Sequence, residues 1–170
     1  MKSMITVLSL LLTPILAAAV VASSASAENV AQSATGSGQF EFTSDAGVTA
    51  LRTFAFEASK SSDGAVSGQA QIKNRATGAT LHIRIDCLNV IGNVAVMSGT
   101  ATFATGGGNS VGDAEIFGVE DNGQGAGAPP DLVTRAFGNS GLVCTDITAE
   151  MLPGLADLFS VVEEGNIQVH

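Results

Sequence analysis

The feature that most constrains this chain is a strict two-residue alternation of apolar and polar side chains, repeated in segment after segment. Phe40 and Phe42 alternate with Gln39, Glu41 and Thr43, and Phe54 and Phe56 with Thr53, Ala55 and Glu57. Val66, Gly68, Ala70 and Ile72 alternate with Ser67, Gln69, Gln71 and Lys73. Leu81, Ile83 and Ile85 alternate with Thr80, His82, Arg84 and Asp86. A period of two matches the pleat of a strand, not the 3.6-residue turn of a helix. It also demands one buried and one wet face, which antiparallel sheets have and parallel sheets do not.

The punctuation agrees. Ser61-Ser62-Asp63-Gly64 and Asn74-Arg75-Ala76-Thr77-Gly78 are hairpin-length loops ending in Gly, and Gly92-Asn93 suits a two-residue primed turn. Further strands are expected over 87–91, 94–104, 111–121, 131–139 and 166–170. Gly99 marks a bulge or bend inside one of them. Residues 122–130 form a long Gly/Pro loop. The helix-compatible stretch 147–162 is divided by Pro153-Gly154, which leaves room for one short helix at most. About nine short strands predict a single all-β antiparallel domain, a barrel in preference to a sandwich. Pairing the first strand (39–43) with the last (166–170) would close it and remove exposed edges.

Residues 1–27 stand apart. Lys2 precedes an apolar run over 5–22, and Ser23-Ser24-Ala25-Ser26-Ala27 closes it with small residues. That is the tripartite form of a secretory signal, with Ala25 and Ala27 serving the peptidase and the cut falling after Ala27. An uncleaved anchor is the alternative, but the run is short for a span and Pro14 would kink it. The chain thus divides into a signal (1–27), a flexible polar leader (28–35) and the β-domain (36–170). The expected location is extracellular, free of the membrane after cleavage.

Without Lys2, six basic residues face sixteen acidic ones, a net charge near −10. Nucleic acid and anionic lipid are poor partners for such a surface. Trp and Tyr are absent, which argues against an aromatic carbohydrate platform. Seven of the eight Phe fall in expected strands and are assigned to the core. Cys87 and Cys144 are the only cysteines. In an oxidising compartment an even count favours a disulfide over two buried thiols. The 57-residue loop (144 less 87) would contribute about 4 kcal/mol in the chain-entropy model.

Chemistry is sparse. His82 and His170 are the only histidines and share no metal-ligand spacing. No Gly-x-Ser-x-Gly elbow occurs. The best candidate is Glu120-Asp121-Asn122-Gly123-Gln124-Gly125 with Asp131, whose Asp121, Asn122 and Asp131 offer the hard oxygens Ca²⁺ takes. An Asx turn, in which Asp and Asn bond their own backbone, explains the same residues and is preferred. No cofactor is implied.

Several segments together bear a resemblance: Gly36-Ser37-Gly38-Gln39-Phe40, Asp86-Cys87-Leu88-Asn89-Val90-Ile91-Gly92-Asn93-Val94-Ala95, Val119-Glu120-Asp121-Asn122-Gly123, Asp131, Cys144, and Gly165-Asn166-Ile167-Gln168-Val169-His170. In this order they resemble a group of uncharacterised secreted bacterial proteins of actinobacterial type. The resemblance implies a domain type and an extracellular setting, and it supports the Cys87–Cys144 pair. It carries over no activity and no functional residue. The first expectation is therefore a secreted, non-enzymatic β-domain that binds an extracellular partner or serves as a surface component. A β-barrel carrier of a small apolar ligand comes second, and a hydrolase with a carboxylate pair third.

Overall fold

A computed structural model describes residues 30–44 and 47–170. The signal assigned to 1–27, with its cut after Ala27, lies outside them. Ten strands form one antiparallel sheet: β1 (Val30–Thr43), β2 (Thr49–Ser61), β3 (Val66–Asn74), β4 (Thr80–Ile91), β5 (Val94–Thr105), β6 (Ala114–Glu120), β7 (Leu132–Thr134), β8 (Phe137–Gly138), β9 (Phe159–Val161) and β10 (Glu164–Val169). The sheet runs β10-β1-β2-β3-β4-β5-β6-β7-β9, with β8 also on β6, and curls into a half-barrel. The first and last strands pair as expected, from Ala34↔Val169 to Gln39↔Glu164.

That register corrects the expected leader. Residues 30–35 read as flexible in the sequence, but Val30 already begins β1, because Ala34 and Thr35 pair with β10 on one side and β2 on the other. Small residues without alternation become strand here through non-local pairing. The segment expected as a strand over 131–139 is broken in two. β7 and β8 both pair with β6, one residue out of register with each other. In place of the strand expected from 111, Ser110–Asp113 turns, with the Ser110 N–H donating to Asp113 Oδ2, and β6 starts at Ala114.

Inward-facing residues of the alternating strands fill the half-barrel. Phe40, Phe54, Phe56, Ile83, Ile85, Leu88, Met97, Phe117, Val119 and Ile167 are among a single buried cluster. Phe54 lies between Phe40 and Phe56, and Phe56 meets Phe117 edge-on at 5.9 Å. Most outward residues of β2–β4 are polar, Leu51, Ala55 and Ile91 being apolar exceptions, whereas a transmembrane barrel carries an apolar band outside. No helix among the described residues is long and apolar enough to cross a membrane.

Two irregularities in the β4–β5 ladder decide which side chains face out. Between Ile85 and Cys87 the register slips past Asp86, and between His82 and Ile83 it slips past Thr102. A one-residue bulge reverses the facing of the residues beyond it. The first bulge turns Cys87 from the interior to the outer face, and Leu88 inward. The second turns Phe103 outward, so this Phe is exposed and stacks 5.0 Å from His82 rather than joining the core as expected. Gly99 sits beside the first bulge as expected. A Cβ there would stand 2.0 Å from the Arg84 carbonyl oxygen, so no larger residue fits.

Cys87 and Cys144 form the expected disulfide, with Cα atoms 5.8 Å apart. It pins residues 139–158 over the outer face of β5 and β6. Val94, Val96 and Ile116 there pack against Cys144 and Ile147 in a second buried cluster. Asn89 Nδ2 donates to the Cys144 and Ile147 carbonyls, and the Cys144 N–H donates to Ser98 Oγ. The helix-compatible stretch is a 3₁₀ segment, Leu152–Leu158.

Candidate functional site

The structure brings Asp121, Asn122 and Asp131 together, at the open side of the half-barrel. No backbone ladder joins β10 to β7 there. Successive N–H groups of an antiparallel strand point to opposite sides. The His170 N–H bonds Ser33, so those of Ile167 and Val169 point away from β1, toward the gap. Asp131 Oδ2 accepts the Ile167 N–H at 2.7 Å, and Asp121 Oδ2 accepts the Val169 N–H at 3.0 Å. Asp131 Oδ1 accepts the Asn122 N–H and Asp121 Oδ1 the Gly123 N–H, the latter closing an Asx turn. Asn122 Nδ2 donates to the Pro130 carbonyl. All four carboxylate oxygens accept backbone N–H groups, so these residues act as a seam that closes the sheet edge. Each oxygen accepts a single N–H, so the bonds account for the placement of both side chains as Asx-type contacts with their own and neighbouring backbone.

The space with the most apolar lining lies elsewhere, between the outer face of β5–β6 and the stapled segment. It is a cleft of about 170 Å³, with Val96, Ile116, Phe137, Leu152, Leu155 and Phe159 among its walls. Gly118 forms part of the floor, where a Cβ would stand 3.3 Å from the Phe159 ring. Two hydroxyls reach the lining. Thr134 Oγ1 accepts the Gly118 N–H and donates to the Arg135 carbonyl, and Ser140 Oγ accepts the Leu142 N–H. Around this cleft the surface is unusually apolar. Leu142, Val143, Met151, Leu158 and Val161 are five of the nine exposed large hydrophobic residues among those described. Sequence reasoning missed the cleft because its walls come from a stretch with no period and from the outer, supposedly wet, face of two strands.

At one end of the half-barrel polar groups turn inward. Arg52 follows the inward parity of Phe54 and Phe56, and its guanidinium stacks 4.2 Å from the Phe42 ring centre. Arg135 bridges Phe42 and Phe137. Burial, then the neighbouring Arg135, holds the Arg52 pKa below its ordinary value. Glu115 follows the inward parity of Phe117 and Val119 and is 1% exposed. Neither of its carboxylate oxygens has a hydrogen-bond partner among the described residues. Burial, and then the charge of Asp113, pushes its pKa up to about 7. The alternation Glu115-Phe117-Val119 is a sequence signal for this buried acid.

The two histidines stand apart, His82 on β4 in the middle of the sheet and His170 just past β10, hydrogen-bonded to Ser33. His82, with Gln69, Gln71 and Arg84, lines a broad open depression on the outer face, where the side chains are solvated. No family model matches the chain, and no curated protein or solved structure matches it significantly.

Proposed function

We propose that this chain is an exported binding domain that takes a small apolar compound, of about six to ten heavy atoms, in the cleft outside β5 and β6. The observation that carries the reading is the cleft itself, about 170 Å³ walled almost wholly by hydrocarbon. A dry cavity of about 150 Å³ lined by Leu, Ile and Phe accepts benzene, so the ligand is of that size class. Thr134 already uses its hydroxyl on backbone partners, and the ligand therefore needs little polarity. The barrel interior, the natural place for a carried ligand, is filled by Phe40, Phe54, Phe56 and Phe117. Export is supported by the residues before Ala27 and by the Cys87–Cys144 disulfide, a bond favoured outside the cytoplasm.

Titration with toluene and with hexanol, followed by methyl NMR and thermal melting, tests the reading. Binding should shift the Val96, Ile116, Leu152 and Leu155 methyl signals and raise the melting temperature. Leu155→Asp, at a half-buried position, should remove both effects while the β-sheet signals persist. No shift with either probe, or unchanged shifts in Leu155→Asp, would overturn it.

A further inference from the structure

We propose that Glu115 and Asn109 form a weak Ca²⁺ site at the rim of the half-barrel, over Gly138. Glu115 is paired across the ladder with Gly138, which has no side chain, so the carboxylate faces the space a Cβ would fill. That position lies 3.2 Å from Glu115 Oε1, 3.5 Å from Glu115 Oε2 and 3.4 Å from Asn109 Oδ1, its nearest heavy atoms beyond the adjoining residues. Three oxygens thus converge on one spot. Both Glu115 oxygens are buried without a hydrogen-bond partner among the described residues, although a buried carboxylate ordinarily is paired, bonded or metal-bound.

The donor set defines the occupant. Carboxylate and amide oxygens with no nitrogen or sulfur suit a hard cation, and Ca²⁺ tolerates irregular geometry better than Mg²⁺. Ca–O distances are about 2.3–2.6 Å, so the two side-chain tips need to close in by about 1 Å. Asp113 is close enough to act on Glu115 and adds negative potential. Gly138 is solvent-exposed and Asn109 half-buried, which leaves a route for the ion and for the waters that complete its shell. Few charged ligands mean low affinity, in the range of about 10⁻⁴–10⁻³ M seen for extracellular modules. The site is separate from the Asp121–Asp131 seam, whose oxygens are engaged.

The test is thermal melting of the full chain, stripped of metal at pH 7.5, against CaCl₂ from 0 to 10 mM, with MgCl₂ as the ionic control. A melting temperature that begins to climb as CaCl₂ passes about 1 mM, gains a few degrees by 10 mM, and gains at most a third as much with Mg²⁺ is expected. Gly138→Ala, whose methyl occupies the spot, and Asn109→Ala, on the loop before β6, should each lose most of the rise. An unresponsive wild type would overturn the site. So would equal effects of the two ions, which would mean general screening, or a full rise in both variants.

Discussion

Glu115 makes the stability of this domain depend on pH in a direction opposite to that of most acidic residues. Its folded pKa is raised to about 7 from an ordinary 4.5, chiefly by burial. Between those two values the folded protein holds a proton that the unfolded chain has released. The stabilisation from this group is therefore fully present below about 4.5 and is lost as pH rises through 7. At about 1.4 kcal/mol per pKa unit the whole loss is about 3 kcal/mol, most of it between pH 5 and 7.5. The residue's surface is covered, but the carboxylate lies at the rim beneath solvent-exposed Gly138, so nearby solvent screens it and about 3 kcal/mol is an upper bound. Urea unfolding in chelator, at pH 5, 6, 7 and 8, measures it. About 2.5 kcal/mol of this falls between pH 5 and 8, so with a slope of about 2 kcal/mol per molar the wild-type midpoint should fall by up to about 1.3 M across the series. Glu115→Gln keeps the shape and cannot ionise, so its midpoint should stay level and exceed the wild type at pH 8. A wild-type midpoint that does not fall, or a variant that falls equally, would refute the reasoning.

Two further outcomes are expected. Intact mass should rise by about two daltons on reduction of the Cys87–Cys144 bond, and Cys87→Ala/Cys144→Ala should lose about 4 kcal/mol in the chain-entropy model, read by urea unfolding. Asp131→Ala strips the charge-assisted acceptor from the Ile167 and Asn122 N–H groups, at about 1.5–3 kcal/mol for each such bond. Hydrogen exchange at Ile167 should accelerate, and an unchanged exchange rate would mean that the seam does not hold β10.

The alternation makes β2, β3 and most of β4 legible, because each side chain there reports its face directly. It fails where a bulge intervenes. Phe103 reads as core in the sequence and stacks on His82 outside, since nothing local to residues 101–103 announces the extra residue opposite β4. It fails also over 30–35, where strand formation comes from partners far away along the chain. The candidate sites divide differently. Asp121, Asn122 and Asp131 stand out in the sequence for their chemistry, and their closeness in space is real, but the two carboxylates serve backbone N–H groups of β10 and of the local turn. Glu115 is readable as an acid at an inward position. The apolar cleft is not readable, because Leu152, Leu155 and Phe159 acquire a common wall only after the disulfide has fixed the segment.

The pairing of β1 with β10 has a kinetic consequence. Ala34 meets Val169, 135 positions away (169 less 34), so β1 has only one of its two neighbours until residues 164–169 have been made. The loop that must close is nearly the length of the domain, and such distant pairings slow folding. A nascent chain of this design stays incomplete while it is being synthesised. Under the export proposed above, such a delay would be an advantage, because it would hold the sheet short of its final form during transport.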